Sequence, residues 1–295
     1  MDMDNTRITG KENTPFELLL EQHGAEIVFQ GEGGIFPERK EIEGLSDIVD
    51  LGCGLGYWVI EVASALPQTK VLGVDLSERA LQYARSRPQL LNLTNASFLQ
   101  ADITQKLPFE DASFDVVNGR ILMEIFRRDE WPAFIEECAR ILRPGGQIRL
   151  SEMTLTESNS ADFNALYSLL YRAIYLDRRS FAPGEHTNPQ STAIIPALGK
   201  MLRKQFGNVA YYAFAMNHGE TRITEHWIMA FDTLEDYFVR FGLTSHQEYR
   251  ELYHRAVSDT LRDDFWATTH IVTAYAFKSN REFPEKEKGV HSSPA

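Results

Sequence analysis

Short apolar runs alternate with stretches of helical period along the first half of the chain. Ile48-Val49, Val71-Leu72-Gly73-Val74, Phe98-Leu99 leading to Ile103, Phe114 to Asn118, and the alternating segment Gln147 to Leu150 each read as a β-strand. Apolar residues at helical spacing fill the intervals at about 57 to 66, 77 to 87 and 129 to 141. Ser77 is placed to cap the second of these helices, and Asp129, ahead of Trp131-Pro132, the third. A short side-chain oxygen satisfies amides that a helix start leaves unpaired. Strands separated by helices imply a parallel sheet with helices on both faces.

After the fifth strand the alternation breaks. Residues 160 to 178 carry a broad apolar and aromatic face at helical period, including Tyr167, Tyr171 and Tyr175, and another helix is predicted from about 191 to 205. Val209 to Met216 and Thr269 to Phe277 are strand-like, with about fifty residues between them. That interval shows two helices, Thr233 to Phe241 closed by Gly242, and a capping box at Ser245 and Glu248 running to about Arg262. Hairpin connections are normally short, so inserted helices imply a substrate lid or a subunit surface. Upstream, Thr14-Pro15 opens a helical pattern with Glu17 at the capping-box position. The expected organisation is a tail at 1–13, an N-terminal helical extension or lid at 14–45, a core at 46–155 and a helical substrate-side region at 156–206. The last two strands follow at 207–279, with an insertion at 218–265, and a tail at 280–295.

The candidate chemistry sits at the end of the first strand, in Asp50-Leu51-Gly52-Cys53-Gly54-Leu55-Gly56. A strand, a glycine-rich turn and a helix start let backbone approach a ligand closely, because no Cβ blocks the way. Asp75 ends the second strand, about 20 residues on, where α/β nucleotide binders hold ribose hydroxyls. Dinucleotide binders use G-x-G-x-x-G, but Tyr57 occupies the place of their third glycine.

The acid-first pattern D-x-G-x-G-x-G instead resembles motif I of class I S-adenosylmethionine-dependent methyltransferases of the small-molecule type. Three later segments are similar to the same family: Phe98 to Ile103, Leu107-Pro108-Phe109 with Phe114 to Asn118, and Leu142-Arg143-Pro144-Gly145-Gly146 leading into the fifth strand. The four motifs run in order across residues 47 to 152, and Thr269 to Phe277 is similar to the family's antiparallel terminal strand. The resemblance implies an α/β, doubly wound seven-stranded sheet, mostly parallel with an antiparallel last strand, plus helical lid insertions. It implies S-adenosyl-L-methionine as cofactor, with S-adenosyl-L-homocysteine as product. The residues it assigns to that cofactor are Asp50, Gly52, Cys53, Gly54, Asp75, Leu76, Asp102, Ile103, Asn118 and Arg120. Several have plainer readings: Asp50 orders the turn, Asp75 is an acid at a helix start, and Arg120 is solvated.

Charge and composition narrow the acceptor. A formal net charge of −12 argues against a phosphate-tracking surface, so nucleic acid is excluded as a partner. No apolar run approaches 18 residues and the N-terminus lacks a signal peptide's pattern, so a cytoplasmic protein without membrane contact is expected. The two cysteines, Cys53 and Cys138, do not suggest a disulfide framework, and Glu225-His226 lacks the second histidine of a zinc helix, so no metal is expected. His218 and His226, which follow the sixth strand, are candidate catalytic bases, with Glu225 nearby. Tyr167, Tyr171, Tyr175 and His186 are candidate substrate-binding groups, although an aromatic stripe also buries itself as core.

The reading is methyl transfer to O, N or C of a hydrophobic or aromatic small molecule in specialised metabolism. Proximity and desolvation would do most of the catalytic work. The alternatives are an NAD(P)-dependent oxidoreductase on a similar sheet, or a methyltransferase-like fold that binds cofactor without transferring methyl. A homo-oligomer through the N-terminal or inserted helices is also anticipated.

Overall fold

Seven strands form one sheet in the order β3-β2-β1-β4-β5-β7-β6. They are β1 (Asp47–Leu51), β2 (Lys70–Asp75), β3 (Ala96–Gln100), β4 (Phe114–Arg120), β5 (Leu142–Ser158), β6 (Val209–Asn217) and β7 (Ala267–Phe277). The structure, a computed structural model, describes residues 35–38, 42, 44–183, 191–217 and 223–279. β1 to β5 pair in parallel. β7 runs antiparallel between β5 and β6. This is the doubly wound sheet with an antiparallel last strand that the sequence predicts.

Helices α1 (Tyr57–Ala65), α2 (Glu78–Leu90) and α3 (Trp131–Ile141) connect the parallel strands. α4 (Ala161–Leu176) and α5 (Ile194–Phe206) follow β5. α6 (Ile223–Thr233), α7 (Glu235–Arg240) and α8 (His246–Thr260) lie between β6 and β7. Period-two alternation divides the strands between two cores. Ile48, Val71 and Val116 pack with Trp58, Val59, Val62 and Leu81 from α1 and α2. Val49, Leu51, Val117, Ile148 and Leu150 face the larger core that α3, α4 and α5 complete.

Several local signals act as the sequence implies. The Ser77 hydroxyl accepts from the Ala80 amide at 3.2 Å, and Ser245 with Glu248 forms a full capping box on α8. Two expectations are corrected. Asp129 does not cap α3, which starts from Glu130 without a side-chain cap; Asp129 is instead paired with Arg178 at 3.1 Å. The insertion holds three helices among the described residues rather than two, because α6 precedes the α7 segment. The N-terminal helix at Thr14, His186, His218 and both tails lie outside the described residues.

Candidate active site

The glycine turn is pinned to the sheet by its own backbone. The amides of Gly52 and Cys53 both donate to the Val74 carbonyl, at 2.8 and 3.0 Å, folding the turn across the carboxyl end of β2. Gly52 takes φ +74°, and a Cβ there would lie 2.7 Å from Leu122 Cδ2 and 3.3 Å from Ile125 Cδ1. Gly56, at φ +71°, begins α1, and a Cβ there would lie 2.5 Å from the Phe98 ring on β3. Gly56 therefore supplies the close helix-to-sheet contact that a dinucleotide fingerprint assigns to a later glycine.

Two carboxylates flank this turn. Asp75 is 3% exposed; its Oδ2 accepts from the Gly54 amide at 2.9 Å and its Oδ1 from the Ser77 amide at 2.8 Å. It thus joins the turn to the start of α2, while Leu76 beside it is 52% exposed. Asp102, beyond β3, is held by the amide and hydroxyl of Thr104 at 2.9 and 2.7 Å. Ile103 is buried, and its Cδ1 would lie 3.5 Å from a Cβ on Gly52. The Cys53 side chain turns inward toward Gly73. Burial, and then the charges of Asp50 and Asp75, push its thiol up, which makes it an inert packing group.

Behind the turn runs a buried polar row that crosses the sheet. Asp50, Asn118 and Arg149 are register partners on β1, β4 and β5. The Asn118 amide donates to Asp50 Oδ1 at 2.6 Å, and Arg149 Nη1 donates to Asn118 Oδ1 at 2.8 Å. Burial raises the Asp50 carboxyl to about 6, opposed by Arg120, Asn118 and Arg149. Among the described residues, two buried atoms here have no hydrogen-bond partner: Asp50 Oδ2 and Arg120 Nε. An orphaned carboxylate oxygen and an orphaned guanidinium N–H fit the ammonium and carboxylate of a bound amino-acid group.

The family described as "Methyltransferase domain" matches residues 48–146, the span that holds the glycine turn, Asp75, Asp102 and the β4 end. Those residues match a methyltransferase domain. Relatives include a demethylmenaquinone methyltransferase from Lactococcus lactis subsp. lactis, 36% identical over 109 residues, covering 37% of this chain and 42% of that protein. Another is a 27-O-demethylrifamycin SV methyltransferase from Amycolatopsis mediterranei, 32% identical over 111 residues, covering 38% and 40%. The chain thus spans about two fifths of these relatives. A solved Haemonchus contortus phosphoethanolamine N-methyltransferase 2, in complex with S-adenosyl-L-methionine, is 20% identical. It aligns with a TM-score of 0.51 over 91% of this chain and 58% of that one, a likeness of fold. The orphaned atoms and the glycine cradle fit the amino-acid end of S-adenosylmethionine, the ligand of that solved methyltransferase.

Beyond residues 48–146 lies an aromatic cluster. The Tyr167 ring stands 5.0 Å from Trp227 and 5.1 Å from Phe231, and Phe163 stands 5.5 Å from Phe265. Tyr167 and Tyr171 are buried, whereas Tyr175 is partly exposed. Burial pushes the Tyr167 phenol well up and the Tyr171 phenol to about 12, so neither serves as a base near neutrality. His226, on α6, is partly exposed with its ring 5.7 Å from Trp227.

Sequence reasoning missed the short 3-10 turn Leu122–Glu124 after β4, which leans on Gly52. Glu152, 1% exposed on β5, holds the start of that turn through a 3.1 Å bond from the Met123 amide to Oε1. Burial raises its carboxyl to about 8, so it is neutral at pH 7. Arg179 holds the far end by donating to the Glu124 carbonyl at 3.0 Å and to Asp177 at 2.6 Å. Tyr237 of α7 donates to the same Asp177 carboxylate at 3.2 Å, which links the insertion to the turn. The signal the sequence offered was an acid, Glu152, placed within a strand-like segment.

Proposed function

We propose that the protein transfers the methyl group of S-adenosylmethionine to a hydrophobic or aromatic small-molecule acceptor. The observation that carries the cofactor side is the orphaned pair Asp50 Oδ2 and Arg120 Nε beside the glycine turn. In this reading Asp50 accepts from the cofactor's ammonium and Arg120 donates to its carboxylate. Asp75 accepts from the ribose hydroxyls, and Leu76, Asp102 and Ile103 border the adenine. Gly52 and Gly54 supply the close backbone wall, and Cys53 and Asn118 back it from within. When bound, the cofactor supplies an electrophilic methyl carbon. The chain's own task is to align an acceptor and exclude water, an effect worth roughly 7 to 11 kcal/mol when two reactants are well oriented.

The acceptor class rests on the cluster of Tyr167, Trp227 and Phe231, together with Tyr171 and Tyr175. The names of the relatives, demethylmenaquinone and 27-O-demethylrifamycin SV methyltransferase, support a small-molecule acceptor. Where the acceptor must lose a proton, His226 is our candidate to take it, since it adjoins that cluster. His218 and His186 remain candidates from the sequence alone. Among the described residues no helix is long and apolar enough to cross a membrane. The test is formation of S-adenosylhomocysteine during a screen of quinone, phenol and polyketide acceptors. Cofactor binding with no turnover on any of them would favour the second reading, a fold that binds cofactor without transferring methyl.

A further inference from the structure

Asp50 lies at one end of a longer buried chain whose other end is Glu38, on the short segment at 35–38 that precedes β1. Arg149 Nε donates to Glu38 Oε1 at 2.9 Å, with Arg149 wholly buried and the Glu38 side chain 1% exposed. Gln147, also buried, donates to the same Glu38 oxygen at 3.1 Å. The guanidinium of Arg149 stands 5.4 Å from the Phe36 ring and 5.6 Å from Trp58 of α1. It is therefore sandwiched between the segment and the first helix, and has little freedom to rearrange. A buried guanidinium is tolerable only with its charge matched and its N–H groups bonded, which Glu38 and Asn118 accomplish from opposite sides.

The groups facing Asp50 come from every neighbouring element. They are Arg120 and Asn118 on β4, Arg149 on β5, Asp75 on β2 and Cys53 in the turn. Of the two arginines, Arg149 is the one ion-paired with Glu38, so Glu38 governs how much of that positive charge Asp50 experiences.

We propose that Glu38 is a remote positioning residue. Through Arg149 and Asn118 it sets the orientation and charge of Asp50 at the methionine end of the cofactor site, so that seating of the 35–38 segment and binding of S-adenosylmethionine are coupled. The inference rests on the reading of Asp50 as a cofactor group. By linkage the coupling runs both ways: cofactor that favours ionised, aligned Asp50 also favours the seated segment. Neutralising Glu38 would leave the full Arg149 charge acting on Asp50 and draw its titration downward. A charge two hydrogen-bonded side chains away, in a medium of effective dielectric about 20, moves a pKa by roughly 1 unit.

The experiment is calorimetric titration of the full chain with S-adenosylmethionine across mildly acidic to neutral pH, for wild type, Glu38→Gln and Asp50→Asn. Wild-type affinity is expected to fall as pH drops through about 6. Glu38→Gln should move that midpoint down by roughly 1 unit, and Asp50→Asn should weaken binding and abolish the midpoint. A Glu38 acting only as packing would lower stability and leave the midpoint in place, which would overturn the proposal. If Asp50→Asn kept wild-type affinity and pH profile, the placement of Asp50 at the cofactor would itself be wrong, and this inference would fall with it. Should Glu38→Gln fail to fold, hydrogen exchange on the wild type decides: saturating S-adenosylmethionine should slow exchange in the peptide spanning 35–38, and unchanged exchange overturns the coupling.

Discussion

The Gly54 amide donates to Asp75 Oδ2 at 2.9 Å, so the glycine turn and the acid we assign to the cofactor's ribose are held by one another. On that assignment, removing Asp75 removes a ligand contact and loosens the turn together. Charge-assisted hydrogen bonds contribute about 1.5–3 kcal/mol each, so Asp75→Ala should weaken S-adenosylmethionine binding by roughly 10- to 100-fold. Asp75→Asn, which keeps an acceptor oxygen for Gly54, should lose less. Ligand-dependent thermal shift ranks the two, and equal loss from both would mean the Gly54 bond contributes nothing.

Gly52 is the position where backbone conformation and space coincide. An alanine there must hold φ +74° and meet Leu122 at 2.7 Å. Left-handed conformation costs an L-residue about 1–2 kcal/mol before any clash, and displacement of Leu122 would disturb the 3-10 turn above. Gly52→Ala should lower the unfolding midpoint and impair cofactor binding, both read in one melting series with and without S-adenosylmethionine.

Glu152 gives the protein a pH dependence with a definite sign. Its carboxyl is raised from 4.5 to about 8 in the fold, so between those values the native state keeps a proton that the unfolded chain has lost. The associated stability is fully present below pH 4.5 and is lost as pH rises through about 8. Asp50, raised to about 6, acts in the same sense in a lower window, so the interval from about 6 to about 8 reports mainly Glu152. Glu152→Gln keeps an acceptor for the Met123 amide and has no proton to lose. Chemical denaturation at several pH values should show wild type weakening across that interval and the variant nearly flat; parallel slopes would count against this assignment.

Arg179 is 1% exposed and joins Asp177, itself bonded by Tyr237 of the insertion, to the Glu124 carbonyl. Arg179→Met should cost roughly 3–5 kcal/mol, the penalty for breaking a buried ion pair from one side. Tyr237→Phe removes one hydrogen bond and should cost about 1 kcal/mol. Denaturation midpoints measure both, and a near-neutral Arg179→Met would show that Arg127, 4.0 Å from Asp177, takes over the pairing.

Much of the glycine-turn half of the fold was legible in the sequence because its determinants are local. Strand, glycine turn, helix and terminal acid follow one another within a few dozen residues; Gly52 and Gly56 are fixed by positive φ and close packing, and Asp75 by the amides its carboxylate accepts from. The Ser77 and Ser245 caps were legible for the same reason. Asp129 was not: the helix starts one residue later, from Glu130, and the Asp129 carboxylate pairs with Arg178, 49 positions away. The ion pair of Glu38 with Arg149 spans 111 positions, and no periodicity links residues so far apart. Helix α6 was passed over although Ile223, Trp227 and Phe231 recur at helical spacing along it. Tyr167 and Tyr171 were visible as an apolar stripe, but a stripe alone does not say whether it faces an acceptor or packs as core.

The most direct test of the central claim is calorimetric titration of the purified chain with S-adenosylmethionine and, separately, with NADH. Saturable micromolar binding of S-adenosylmethionine, with no heat from NADH, is the predicted result. Binding of NADH in its place, or of neither ligand, would contradict the assignment of the glycine turn, Asp50 and Asp75 to the methyl donor.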